Sequence, residues 1–431
     1  MNIMTNLPVA FHVDALGMLF ATITLIIFIC AGVYSFDYMK HSTHKISYQI
    51  FFFAAMLVEV LACFAANMVT FYLCFELLTI CSMPLVIQER THESIMAALK
   101  YLFFSMFGAY SALFGIFFLS RYADTLNFVP GGSVSAEVFS EHQTLLLWVA
   151  MALIIGFGVK AGMFPMHAWL PTAHPVAPAP ASAVLSAVIV KAGVLGIMRS
   201  IFYVMGVSNI VGTWVQTAWM ILSLITVFMG SMLAYREPVL KKRLAYSTVS
   251  QVSYILFGLS IADVTSMTGS LLHVLGHGFI KAVLFLVAGA IIHYTGATRV
   301  EDMRGIGKKM PVTMWCYLIA SLGLIGIPPT GGFVSKWYLA IGALESKILV
   351  FSVLGPVILL ISALLTAGYL LQLVTIGFFP GADFVVKEEE KKEPSLFMTI
   401  PLMILTALSV FMGLLPNGLV DYIEQIVSTL V

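Results

Sequence analysis

Long apolar runs separated by short polar stretches repeat along the whole chain. A bilayer core takes about 20 apolar residues in helical form. On that ruler the pattern predicts about twelve membrane-spanning helices. They fall near 12–36, 47–65, 68–87, 95–120, 144–172, 180–202, 214–234, 244–261, 267–293, 311–343, 350–378 and 397–415. The runs are long and do not alternate, which excludes a β-barrel. The expected fold class is an all-α polytopic membrane protein.

Two spans are too long and too broken to be straight helices. The fifth carries Gly156, Gly158, Gly162, Pro165 and Pro171, and the tenth carries Gly323, Gly326, Pro328, Pro329, Gly331 and Gly332. Proline removes a backbone donor and glycine weakens a helix, so both spans should be interrupted at membrane depth. Such backbone survives there only where it lines a polar cavity. Spans two to six and seven to eleven then read as two five-helix halves, each with its broken helix fourth. An odd number of helices per half turns the second upside down, as in inverted-repeat transporters. The expected division is a peripheral helix over 1–45, one repeat over 46–205, a second over 206–380, and a charged loop with a C-terminal helix over 381–431. Lys160 and Lys336 become pseudo-equivalent, each beside a break; the alternative is two chance Gly/Pro clusters with stray lysines.

Composition agrees: 60% of residues are hydrophobic, 10% are charged and the mean hydropathy is +0.99. No soluble domain hides that much apolar surface. A net charge of +1 gives no sign of nucleic-acid binding. Loops after the odd-numbered spans hold most of the Lys and Arg, among them Lys40, Lys45, Arg90, Lys241, Lys242, Arg243, Arg304 and Lys387, against Arg121, Lys347 and Arg199 opposite. The positive-inside rule makes the first side cytoplasmic and places both termini outside, in a cell-membrane protein. The run from Lys387 to Glu393 reads as a solvated loop. Asp14 stands where a signal peptide needs basic residues, so none is expected. Cys30, Cys63, Cys74, Cys81 and Cys316 lie in apolar stretches without Fe–S or zinc spacing. They read as packing residues, with no metal or redox centre in this chain.

The candidate chemistry is a set of ionisable residues near mid-depth, where a charge costs a few kcal/mol and usually marks an ion path. Glu76 is the acid deep in the third span, and Lys160 is its nearest candidate counter-ion. Moving such a pair together or apart would switch the lysine's proton affinity; the alternative is a static pair pinning two helices. Lys191 lies in the sixth span and Lys336 beside the second break. His273, His277 and Lys281 recur at i, i+4 and i+8, so they share a helical face and could relay protons. No cysteine or carboxylate joins that face, which argues against a metal. Secondary candidates are Glu59, as a side path or a paired packing defect, and Lys100, which could merely snorkel. His167 and His174 flank the first break and could shape its cavity or cap backbone groups.

The stretch from Lys160 to Arg199, KAGMFPMHAWLPTAHPVAPAPASAVLSAVIVKAGVLGIMR, resembles the antiporter-like subunits shared by respiratory complex I, energy-converting NiFe hydrogenases, formate hydrogenlyase-type complexes and Mrp cation/proton antiporters. FELLTICSMPL, KKRLAYSTVSQVSYI, HVLGHGFIKAVLFLVAGAIIH and GIPPTGGFVSKW extend the resemblance over nearly the whole chain. It implies that Glu76 is the key glutamate, Lys160 its partner, Lys191 the central lysine and Lys336 the ionisable residue of the second broken helix. His273, His277 and Lys281 match the second-half relay. Departures are Phe75 in place of the usual tryptophan and Thr172 in place of the usual acid of the LPDAH motif. The opening FHVDALGMLFATIT looks like the family's third helix, so the first two are expected to be missing. A long lateral C-terminal helix is not expected.

The resemblance implies a proton-translocating subunit of a redox-driven membrane complex, with two half-channels joined by a central Lys/His/Glu axis. Its implied partners are other integral membrane subunits, further antiporter-like ones among them, and peripheral redox subunits. Fe–S clusters and a NiFe centre would reside in those partners, with no cofactor in this chain. Rival readings are an Mrp-type Na⁺/H⁺ antiporter, a membrane subunit for inorganic-carbon uptake, or a passive anchor. Buried charges at this cost speak against the last.

Overall fold

The computed structural model describes residues 9–381, 384 and 392–431. The loop expected around Lys387 therefore lies largely outside the described residues. The helices are α1 (Ala15–Tyr38), α2 (Lys45–Cys63), α3 (Met68–Val86), α4 (His92–Tyr122), α5 (Ala136–Glu141), α6 (Gln143–Lys160), α7 (Leu170–Val176), α8 (Ala179–Val184) and α9 (Val190–Ser200). They continue with α10 (Trp214–Arg236), α11 (Leu240–Ile261), α12 (Val264–Thr295), α13 (Ile306–Lys309), α14 (Pro311–Ile325), α15 (Gly331–Leu344), α16 (Leu349–Phe378), α17 (Leu396–Leu414) and α18 (Asn417–Val427).

Short polar side chains start many of these helices. Asp14, Asn67, Thr91 and Asp263 accept hydrogen bonds from the backbone N–H groups of Gly17, Thr70, Ser94 and Ser266, satisfying donors that a helix start leaves free. Among the described residues eleven helical segments are long and apolar enough to cross a bilayer, with α14 a shorter apolar helix. With α14 and α15 as two halves of one crossing, the twelve expected spans are present. The amphipathic α18 and the short α5 were not foreseen.

Both expected breaks are real. Helix α6 stops at Lys160, and the chain turns through Gly162 at φ +77° before α7 resumes the span. Helix α14 stops at Gly326, φ +97°, before α15. L side chains rarely take that backbone conformation, so glycine at these two points ends each first segment. Five crossings per half invert the second half relative to the first. One expectation needs correction: Lys160 closes the segment before its break, whereas Lys336 lies in the segment after its own. The two lysines are near matching interruptions but on opposite sides of them.

The sixth span is less regular than expected. A π-turn over Leu185–Ile189 separates α8 from α9, and another over Ile201–Met205 follows. Helices α11 and α12 and the α8–α9 span are buried along nearly their whole length, whereas α2, α4 and α16 are largely exposed to the surroundings. Polar chemistry therefore concentrates in the inner helices. Glycines let neighbours approach closely: a Cβ on Gly156 would lie 2.6 Å from the Ala112 backbone nitrogen and 2.7 Å from the Gly108 carbonyl. Such small-residue contacts bring α4 and α6 together, which sets Lys160 against α4.

Candidate proton-translocation axis

The ionisable side chains of the interior lie on α2, α3, α6, α9, α12 and α15, with Glu76 and Lys336 half-buried and the others buried, and they interact in series. Lys160 acts on both Glu76 and Glu59, and Lys191 acts on Glu59. Lys191, Lys281, His273 and Lys336 all act on His277. Lys160, Lys191, Lys281, His273, His277 and Glu59 are each 2% exposed or less. Burial of this many ionisable groups at membrane depth is costly, and the protein offsets it with hydroxyls and backbone carbonyls rather than with fixed carboxylate partners.

Lys160 shows this most directly. Its ammonium donates to Thr79 Oγ1 at 2.8 Å and to Tyr101 OH at 2.6 Å. It also lies over the Tyr101 ring at 4.8 Å and the Phe75 ring at 5.6 Å. Glu76, the candidate counter-ion, stands apart from the ammonium in this structure. No ion pair within 4.0 Å joins them, and Glu76 Oε1 is buried without a hydrogen-bond partner. Thr79, one turn beyond Glu76 on α3, takes the place at the ammonium. Glu59 is the second acid under the influence of Lys160, and its Oε2 is likewise buried without a partner. It lies between Lys160 and Lys191 in the electrostatic series, a position that sequence reading left open.

Lys191 follows the π-turn and hydrogen-bonds to the Ala187 carbonyl within it. π-Turns recur at functional sites because they displace carbonyls from the helical ladder. Lys281 donates to Leu244 O at 2.9 Å and Ser247 Oγ at 2.7 Å. His273 and His277 share a face of α12, as the spacing predicts, with ring centroids 5.8 Å apart. His273 Nδ1 meets Ser335 Oγ at 2.9 Å, tying α12 to α15. Both ring nitrogens of His277 are buried without a hydrogen-bond partner.

Lys336 points back across its break to Leu324 O at 2.5 Å and Ile325 O at 3.2 Å. These carbonyls belong to the last turn of α14, where a cation is favourable. Its ammonium lies over the Tyr254 ring at 4.9 Å. Lys336 also lines a cavity of about 200 Å³ with Trp337 and Pro356, so this end of the axis is partly open.

The secondary candidates separate. Lys100 lines a groove of about 710 Å³ with His92, Glu93 and Thr172 and immediately precedes Tyr101 on α4. His167 sits in the first break with Nδ1 unpartnered. His174 is fully buried, stacked on Phe285 at 4.6 Å, and is electrostatically linked to Lys281 and Lys241.

Several residues escaped sequence reading. Tyr101, Thr79, Ser82 and Ser247 carry no charge, so composition hid them. Lys241 was counted as a loop charge, yet it is 7% exposed and donates to Ala177 O at 2.8 Å. Asp14 and Arg199 form a bidentate pair at 2.5 and 2.7 Å, with the guanidinium 1% exposed between the Phe128 and Tyr203 rings. Among the described residues no cluster of three or more His, Cys, Asp or Glu is placed to hold a metal ion.

Comparison with known proteins gives this geometry its family. Residues 65–366 match the family described as NADH:quinone oxidoreductase/Mrp antiporter, TM. NADH-quinone oxidoreductase subunit N of Desulforudis audaxviator is 32% identical, over 94% of this chain and 80% of that protein. Hydrogenase-4 component B of Escherichia coli is 30% identical over 96% of this chain, which spans 64% of it. A subunit of the Na(+)/H(+) antiporter of Bacillus subtilis is 29% identical over 97% of this chain and 82% of that protein. A chain of the membrane-bound sulfane sulfur reductase, an archaeal respiratory membrane complex, shares the fold with a TM-score of 0.86 at 22% identity, covering 98% of this chain and 84% of that one. A chain of the Mrp complex from Dietzia sp. DQ12-45-1b aligns with a TM-score of 0.84 at 19% identity, over 97% of this chain and 84% of that one. The chain is a multi-pass membrane protein and belongs to the NADH:quinone oxidoreductase/Mrp antiporter family of antiporter-like membrane subunits.

Proposed function

We propose that this subunit carries protons along the axis Glu76, Lys160, Glu59, Lys191, Lys281, His277, His273 and Lys336, within a larger redox-driven complex. The observation that carries the reading is the set of titratable side chains inside the membrane-spanning helices, whose lysines are held by hydroxyls and carbonyls rather than by fixed counter-ions. Lysines so placed can lose and regain a proton, which a tight ion pair would prevent. The halves 46–205 and 206–380 supply one half-channel each, and the segments 1–45 and 381–431 flank them. Other integral membrane subunits, further antiporter-like ones among them, and peripheral redox subunits carrying Fe–S and NiFe centres complete the assembly. The Lys/Arg-rich face is cytoplasmic, in the cell membrane, and both termini lie outside.

A second reading, a subunit of an Na⁺/H⁺ antiporter, draws on the likeness to the antiporter protein of Bacillus subtilis. Isolating the native complex in mild detergent and identifying its companions separates the two. Companions with Fe–S and NiFe or quinone-type motifs support the redox pump; small membrane subunits without iron support the antiporter. Glu76→Ala and Lys160→Ala each abolish coupled proton uptake with assembly intact under either reading, and normal uptake in either refutes the axis.

A further inference from the structure

We propose that Tyr101 and Ser82 form a hydroxyl relay through which Lys160 is reprotonated from the Lys/Arg-rich face. The inference rests on the reading of Lys160 as a proton carrier and names its supply route.

Two hydroxyls touch the Lys160 ammonium, and they differ in where they lead. Thr79 Oγ1 turns back to the Phe75 carbonyl of its own helix at 3.4 Å. Tyr101 OH continues to Ser82 Oγ at 2.7 Å, and Ser82 reaches the Leu78 carbonyl at 2.6 Å. The chain of short contacts therefore runs from Lys160 through Tyr101 to Ser82. Ser82 lies four residues before Val86, the end of α3 on the Lys/Arg-rich face, so about 6 Å of helix remains beyond it. Tyr101 is nine residues into α4 from that same face.

The surroundings hold the phenol in place. Tyr101 is fully buried, and its ring packs on Trp169 with centroids 4.7 Å apart. Trp169 is fixed in turn by its indole N–H on the Val159 carbonyl at 2.9 Å. Trp169 lies in the first break and Val159 precedes Lys160, so the interruption of the fifth span orients both the lysine and its phenol partner.

The donor sense follows the protonation of the amine. As an ammonium, Lys160 donates to Tyr101, Tyr101 to Ser82, and Ser82 to the Leu78 carbonyl. As a neutral amine, Nζ has a lone pair that accepts from Tyr101, which then accepts from Ser82. Reprotonation is balanced: a hydronium that travels in from the face along the last turn of α3 gives a proton to the buried Ser82 oxygen and becomes water. Ser82 passes its own hydroxyl proton to Tyr101, and Tyr101 passes its own to Nζ. One O–H bond forms and one breaks at each hydroxyl, and the amine gains the proton.

The second half carries the same parts. Lys281 Nζ meets Ser247 Oγ at 2.7 Å, and Tyr369 OH donates to that serine at 2.7 Å. Tyr369 lies nine residues before Phe378, the end of α16 on the same face. A lysine, a serine and a tyrosine in contact thus occur once in each half.

The test uses membrane vesicles carrying the whole complex, with proton uptake followed by a pH-sensitive dye. Tyr101→Phe keeps the ring over Lys160 and against Trp169 but removes the hydroxyl; Ser82→Ala removes the next one. Each is expected to lower uptake at least about tenfold with the complex assembled, in the range of lost proton-transfer groups. The residual uptake of each is expected to show a larger solvent deuterium isotope effect than the parent, because proton transfer to the amine becomes the slow step once a hydroxyl of the relay is missing. Full uptake in Tyr101→Phe, alongside none in Lys160→Ala, overturns the relay and leaves the carrier standing. A loss that leaves the isotope effect unchanged shows a structural role and also overturns it. Full uptake in Lys160→Ala removes the carrier and the relay together.

Discussion

Replacing Lys160 by arginine separates a proton carrier from a fixed charge. Both side chains are cations that donate to Thr79 and Tyr101, and both can lie on the Tyr101 and Phe75 rings. A residue that only pins α6 to α3 and α4 would therefore tolerate Lys160→Arg. A residue that must release its proton would not. The reference pKa values of the two side chains differ by about 2–3 units, or roughly 3–4 kcal/mol. In one and the same setting of hydroxyls, the deprotonated form of arginine is then about 100- to 1000-fold rarer. Proton uptake by vesicles carrying the complex should fall by about that factor, while the amount of assembled complex in mild-detergent gels stays unchanged. Lys160→Met, which removes the charge outright, should be equally inactive. Uptake in Lys160→Arg within a few-fold of the parent would refute the carrier role and restore the reading of Lys160 as a static pin.

Arg199→Met leaves Asp14 without its partner at the start of α1 and should cost about 3–5 kcal/mol of stability, whereas Arg299→Ala, which breaks an exposed pair with Glu301, should cost about 1 kcal/mol or less. Unfolding titrations in detergent compare the two. Burial pushes the Asp14 carboxyl up, but hydrogen bonds and charge from Arg199 and the Gly17 N–H outweigh it and hold the group below the ordinary carboxylate range. A carboxyl depressed in the folded state contributes stability that is present above about pH 4 and is lost as pH falls further. Melting of the purified protein against pH should show that acid loss, reduced in Asp14→Asn; no difference below pH 4 would contradict it. Gly156→Leu places a side chain against the backbone of Ala112 and Gly108, so it should separate α4 from α6, cost about 1–3 kcal/mol and lower proton uptake by moving Lys160 off Tyr101.

Much of the architecture was written in the order of residues. Membrane spans follow from the length of apolar runs, because a bilayer leaves few alternatives to helix. The two breaks followed from Gly162 and Gly326 with their nearby prolines, because these residues act locally on the backbone. Buried charges were legible for the same reason: Lys160, Lys191, Lys281, Lys336 and Glu76 stand out where almost nothing else is ionisable. The shared face of His273 and His277 needed only the helical repeat.

What each charge touches was decided by tertiary structure. Sequence spacing offers no distance between α3 and α6, so it could not show that Thr79 and Tyr101 rather than Glu76 hold the Lys160 ammonium. Nor could it raise Glu59 from an isolated acid on α2 to the group between Lys160 and Lys191. The hydroxyls of Tyr101, Ser82 and Ser247 are ordinary in composition and gain meaning only when helices far apart in the chain pack together. Asp14 and Arg199 are 185 residues apart, and only the folded chain brings the start of α1 to the end of α9. Backbone preference and hydropathy act over a few residues and can be read along the chain. Partnership between side chains depends on ångström-scale placement of separate helices, and the folded protein alone supplies that.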